Sequence, residues 1–182
     1  MKLLSVPALI ALAACSQAPD RDTQKTEGPQ GSPVAVHGAV IPPLDSAAAG
    51  SAMPDARFKQ RDGTDVQLRP DSQGRCTLVN LWATWCAPCK AEMPALDALA
   101  RSEAGRISVV AISQDLAGWG PVDGFFKQAG LTALEPLLDH DGDLAQAYSA
   151  NGLPLSILYD AQGKEIWRVA GPVDWTSPQV IA

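Results

Sequence analysis

The sequence predicts an α/β domain built on a mixed β-sheet, and three observations predict it. Residues 77–83 (TLVNLWA) form a mostly apolar run of the kind a buried central strand requires. From Cys89 onward Met93, Leu96, Leu99 and Ala100 recur at three- and four-residue spacing, one apolar helical stripe, and residues 107–113 (ISVVAIS) follow as a second buried strand. Strand, helix and strand in that order make a parallel, right-handed unit. Third, residues 155–159 and 165–169 flank Asp160-Ala161-Gln162-Gly163, which predicts an antiparallel hairpin. A sheet holding both arrangements is mixed.

The remaining elements follow in chain order. Asp62-Gly63 separates the short runs 57–60 and 65–68, a small hairpin at the start of the domain. Phe125 to Gly130 reads as a helix end capped by glycine. A short strand is expected at 135–138 and a helix near 144–148. Thr176-Ser177-Pro178 reads as the cap and first turn of a closing helix, which Gln179 to Ala182 would continue only briefly.

Composition bounds the function. A chain of 182 residues has room for one domain and an appendage, and 46% hydrophobic with 19% charged residues is enough apolar material for a core. A net charge of −6 without a clustered basic face argues against nucleic acid as a partner. Only two histidines, His37 and His140, are available for imidazole chemistry.

Met1-Lys2 and the apolar run from Leu3 to Ala14 read as an export signal, since the run is well short of the ~20 residues a spanning helix needs. It ends in Leu12-Ala13-Ala14-Cys15, which resembles the bacterial lipobox, so residues 1–14 are expected to be a lipoprotein signal peptide and Cys15 the lipidation site. An ordinary cleaved signal followed by a stray thiol is the alternative. Ser16 in place of aspartate favours the outer membrane by analogy with sorting in enteric bacteria. Residues 15–53 are rich in Pro, Gly, Ser, Ala and Gln and show no periodicity, the signature of a tether. Coil scaling lets such a tether carry a domain on the order of 30–40 Å from a membrane surface. His37 lies within it as a solvated residue, and the folded domain is assigned to residues 54–182.

Cys86-Ala87-Pro88-Cys89 stands at the junction of the buried strand and the helix. That position puts the first sulfur at the helix N-terminus, where unpaired N–H groups and the helix dipole stabilise a thiolate, and the second one turn inside. Cys86 is therefore the expected nucleophile and Cys89 the resolving thiol. Pro88 suits the first turn because its missing N–H costs nothing there. A zinc knuckle would need four ligands, and no second Cys-x-x-Cys or His-x-His pair exists. A purely structural disulfide over so short a loop would gain little unfolded-state entropy.

The segment Val79-Asn80-Leu81-Trp82-Ala83-Thr84-Trp85-Cys86-Ala87-Pro88-Cys89-Lys90-Ala91-Glu92-Met93-Pro94, with Gly152-Leu153-Pro154, the turn from Asp160 to Lys164 and Gly171-Pro172-Val173-Asp174-Trp175, resembles the TlpA/ResA-like exported branch of the thioredoxin superfamily. The resemblance runs from about Met53 to the end. It implies a thioredoxin-like three-layer fold with a mixed central sheet and an N-terminal β-hairpin. It also implies a thiol–disulfide oxidoreductase whose only redox centre is the Cys86–Cys89 pair, with no other cofactor and no metal. Pro154 would be a cis-proline facing the disulfide, and the backbone of Leu153 would pair with substrate; Trp85, Ala87 and Pro88 would complete the docking surface. The implied substrates are disulfides of exported proteins, such as cytochrome c apoproteins or copper-site assembly factors, on the periplasmic side of a bacterial membrane. A membrane-embedded thiol reductant would supply the electrons. A disulfide-introducing oxidant and a Cu(I)-binding assembly protein, with His140 approaching in space, are the alternatives.

Other residues sort by chemistry. Trp82 is expected in the core, and Pro94 is expected to remove one helical hydrogen bond. Asn80 occupies the place where cytoplasmic thioredoxins carry a buried aspartate; an amide cannot titrate, so that proton-transfer role is absent or displaced. Glu92 could substitute, but a solvated helical face is the reading adopted for it. Asp139, Asp141 and Asp143 suggest a calcium loop, yet Ala150 stands where the bidentate glutamate belongs, which leaves a turn and helix cap. Cys76 is expected to be a small buried strand residue, with a regulatory or intermolecular disulfide as the alternative.

Overall fold

A run of apolar and β-branched residues interrupted only by Asn80 gives the strand β3 (Cys76–Trp82), buried along its whole length. The computed structural model describes residues 42–177 and 180, and β3 lies near the middle of its seven-stranded sheet. In chain order the elements are β1 (Arg57–Lys59), β2 (Asp65–Gln67), β3, α1 (Ala87–Ser102), β4 (Ile107–Ser113), α2 (Trp119–Ala129), β5 (Leu137–Leu138), α3 (Asp143–Ala147), β6 (Leu155–Tyr159) and β7 (Glu165–Ala170). The sheet order is β2-β1-β5-β4-β3-β6-β7. β3 pairs parallel with β4, Cys76 opposite Ile107 through Trp82 opposite Ser113, and antiparallel with β6. This is the mixed sheet the pattern predicts.

Alternation along β3 divides the core. Leu78 and Trp82 face the layer that holds Met93, Leu96 and Leu99 of α1 with Val122 and Phe126 of α2. Val79 and Leu81 face the other layer, with Phe58, Leu144, Tyr148, Ile157 and Tyr159. Trp82 is wholly buried and lies 5.3 Å and 5.8 Å, centroid to centroid, from Phe125 and Phe126. Helix α2 ends at Gly130, whose φ of 65° is the left-handed conformation glycine adopts without strain.

Three elements differ from expectation. β5 has two residues rather than four, because Pro136 has no N–H to donate and pairing begins only at Leu137 opposite Ile112. Helix α1 starts at Ala87, earlier than its apolar stripe, since Cys86 acts as its cap. The third lies upstream. Residues 42–53, Pro- and Ser-rich by composition, run along the outer edge of β7, where Asp45 and Arg168 exchange two 2.8 Å backbone bonds and Gly50 and Ser51 bond Glu165. That edge is thereby covered. Residues 1–14, Cys15, the tether to residue 41 with His37, and most of the closing helix lie outside the described residues. No helix among the described residues is long and apolar enough to cross a membrane.

Candidate active site

The strand-to-helix junction places the cysteines. After Trp82 the chain turns through Ala83 and Thr84, Cys86 N–H bonds the carbonyl of Ala83 at 3.1 Å, and α1 begins with Pro88 in its first turn. Cys86 caps the helix with its sulfur, which accepts the Cys89 N–H at 3.3 Å. That donor is one of the orphan amides of a helix N-terminus, and it is aimed at the atom that would carry thiolate charge. Cys86 and Cys89 are joined as a disulfide, with sulfurs 2.04 Å apart. Cys89 is 0% exposed and Cys86 6%, so of the two only Cys86 reaches the surface.

Around the pair, Trp85 is 68% exposed, and Ala87 and Pro88 are exposed in the first turn of α1. Leu153 is half-buried and packs against the apolar cluster that contains both cysteines. The Leu153–Pro154 peptide is cis, and the Pro154 carbonyl accepts the Gly171 N–H at 2.9 Å.

Glu92 corrects the sequence reading. It is not on a solvated face: it is 5% exposed, and both carboxylate oxygens are engaged inside the domain. Oε1 accepts from Asn80 Nδ2 at 2.9 Å, and Oε2 accepts the Val173 N–H at 2.9 Å. Asn80 in turn donates to Ser156 Oγ at 3.0 Å. Burial pushes the Glu92 carboxyl above the usual carboxylate range, against the opposing pull of the Val173 N–H and the Asn80 amide. Glu92 stands three residues after Cys89 on α1, a spacing that brings side chains onto one face with Cβ atoms about 5–6 Å apart. A buried carboxyl beside a buried thiol can exchange a proton with it.

Of the aspartates of 139–143, Asp139 is committed to the backbone of the helix that follows it. It is buried and accepts the N–H groups of Asp143, Leu144 and Ala145, so it caps α3. Cys76 is buried at the head of β3. His140 is exposed after β5 and lines a shallow cleft with Arg57, Lys59 and Asp65 rather than joining the cysteines. Among the described residues no group of three His, Cys, Asp or Glu side chains is arranged to hold a metal ion.

A vicinal cysteine pair capping a helix at the C-terminal end of the central strand of this mixed sheet, with a cis-proline in the segment before β6, defines a thiol–disulfide oxidoreductase domain of the thioredoxin type. The Redoxin family matches residues 48–181, and the chain belongs to that family, on its ResA-like branch. It is 35% identical over 120 residues to the thiol-disulfide oxidoreductase ResA of Oceanobacillus iheyensis, covering 63% of this chain and 61% of that protein. The chain thus matches about three-fifths of that relative's length. Against ResA of Bacillus subtilis it is 28% identical over 137 residues, 75% of each chain. A crystal structure of a putative thiol:disulfide interchange protein DsbE from Chlorobium tepidum superimposes with a TM-score of 0.60 and 27% identity, covering 73% of this chain and 89% of that one.

Proposed function

We propose that the protein is an exported, lipid-anchored reductase of disulfides in other exported proteins, of the kind that cytochrome c maturation or copper-site assembly requires. The observation that supports the proposal is the arrangement of Cys86, Cys89 and Glu92: a helix-capping sulfur that reaches the surface, a second sulfur fully inside and a buried carboxyl three residues further along the helix. In the reduced protein the Cys86 thiolate attacks one sulfur of a substrate disulfide. A mixed disulfide forms and the other substrate sulfur leaves as a thiolate, which takes a proton from water. The Cys89 thiol gives its proton to the Glu92 carboxylate directly or through one water. Its sulfur then attacks Cys86, and the second substrate thiolate departs with that proton. The substrate gains two electrons and two protons, and the Cys86–Cys89 disulfide is the oxidised product. Trp85, Ala87, Pro88, Leu153 and Pro154 serve as the docking surface, and a membrane-embedded thiol reductant restores the dithiol.

Direction is tested by the reduction potential and by trapping. A potential near −200 mV or below fits a reductant, and one near −120 mV an oxidant. In Cys89→Ser the mixed disulfide on Cys86 has no resolving thiol, so it accumulates. Recovery of exported proteins bound through their own cysteines supports the reading. A variant that captures nothing, with a wild-type potential near −120 mV, overturns it.

A further inference from the structure

Two strongly exposed apolar side chains, Trp85 at 68% and Leu116 at 73%, follow directly on the two ends of one buried polar contact. Asp115 is 2% exposed, and its carboxylate accepts the Thr84 N–H at 2.9 Å and the Thr84 hydroxyl at 2.6 Å. It also accepts the Ser113 hydroxyl at 2.6 Å, while its own N–H bonds Ser113 Oγ at 3.1 Å. Gln114 N–H adds a 2.8 Å bond to the Trp82 carbonyl. A buried carboxylate is costly unless its lone pairs are filled, and here every partner lies on the turn before Cys86 or on the end of β4. The contact therefore fixes residues 113–115 to the segment that carries Trp85 and Cys86. Covalent geometry then keeps the Cα atoms of Trp85 and Leu116 within about 16 Å, the reach of an extended peptide of about five residues. Next to them along the chain, the exposed residues Ala87, Pro88 and Ala117 carry no charge.

We propose that Leu116 is a second apolar docking element of the disulfide site, held in register with Trp85 by the Asp115–Thr84 contact, and that it takes an apolar side chain flanking the cysteine of an extended substrate segment. The inference rests on the reductase reading and narrows its substrate class: polypeptides with apolar residues near the target disulfide, rather than small soluble disulfides. Asp115 is a positioning residue in this scheme and Leu116 a specificity element; neither takes part in the sulfur chemistry.

The test uses the full chain with three substrates: a disulfide peptide flanked by leucine and phenylalanine, the same peptide flanked by glutamate, and hydroxyethyl disulfide. In Leu116→Ser, the ratio of kcat/KM on the apolar peptide to that on hydroxyethyl disulfide should fall about tenfold, through KM, as loss of one leucine contact implies. The ratio for the glutamate-flanked peptide should not fall, and Leu116→Met should restore the apolar ratio to within twofold. Leu116→Ser with the wild-type ratio overturns the docking role while leaving the reductase reading intact. Wild-type protein inactive on all three disulfides removes that reading and this inference with it.

Discussion

Replacing Glu92 with glutamine separates its proton-accepting role from its place in the fold. The side-chain volume is unchanged, so no cavity forms beneath α1. Two hydrogen bonds are at stake, from Asn80 Nδ2 and the Val173 N–H, both 2.9 Å long. A glutamine carbonyl can keep Val173, but its NH₂ then meets the NH₂ of Asn80. Asn80 Oδ1 has no partner among the described residues, so turning the Asn80 amide over presents an acceptor instead. The structural cost is thus about one neutral hydrogen bond, ~1 kcal/mol. The chemical cost is larger. General-base assistance contributes on the order of 10²–10⁴ in rate, so Glu92→Gln should slow resolution of the mixed disulfide by at least about 10², some 2.7 kcal/mol. Rapid-mixing kinetics of reduced protein with a disulfide peptide should show mixed-disulfide formation at nearly the wild-type rate and its decay delayed. The pH profile gives a second readout. Glu92 must be ionised to accept a proton, and burial places its pKa above the usual carboxylate range. Decay in the wild type should therefore rise with pH through that raised pKa, and the variant should lose this limb. A variant that resolves at the wild-type rate with the same pH profile would refute the role assigned to Glu92.

Further outcomes follow from other features of the site and core. Alkylation of the reduced protein at neutral pH should modify Cys86 first, with an apparent pKa below the ~8.5 of a free thiol, because its sulfur receives the Cys89 N–H; faster labelling of Cys89 would reverse the assignment. Asp97→Ala should cost about 3 kcal/mol in urea unfolding at pH 7, since one carboxylate oxygen accepts the N–H groups of Thr132, Ala133 and Leu134 and the other accepts from Arg101. Burial alone would raise the Asp97 pKa, but the three N–H groups and Arg101 outweigh it and hold it below the usual 3.8. That contribution is present above the unfolded-state pKa and lost as pH falls through the folded value, so the difference between Asp97→Ala and wild type should shrink below about pH 4. Cys15→Ser should release the protein from membranes on fractionation while the purified domain retains reductase activity; continued sedimentation with membranes would point to an uncleaved signal or a partner protein as the anchor.

The order of elements was legible because each carried its own period: β3 and β4 as continuous apolar runs, α1 as a stripe, and the last hairpin as two runs around a turn. What composition concealed was backbone pairing along an edge. Residues 42–53 bond β7 through N–H and C=O groups that every residue type except proline supplies in full, so their Pro, Ser and Ala content reads as linker. The Asp115–Thr84 contact was concealed for a related reason, since it joins two loops 31 residues apart where no periodicity operates.

Glu92 is different, because the signal for it was present in the sequence. It lies three residues after Cys89 and four before Leu96, within the buried stripe of α1. Strand alternation puts Asn80 with Leu78 and Trp82 on the face beneath that helix. The two periodicities together predict a carboxylate meeting an amide in the core. The general rarity of buried glutamate weighed against them. That rarity argues the other way once the position is fixed. Placing a carboxyl in an apolar layer works against folding unless its oxygens are satisfied, and here Asn80 and the Val173 N–H fill them. A leucine at position 92 would extend the stripe without that cost. A local rule broken at one turn's distance from a redox-active cysteine, with partners supplied from β3 and from the segment after β7, supports the proton-accepting role proposed for Glu92 over a packing one.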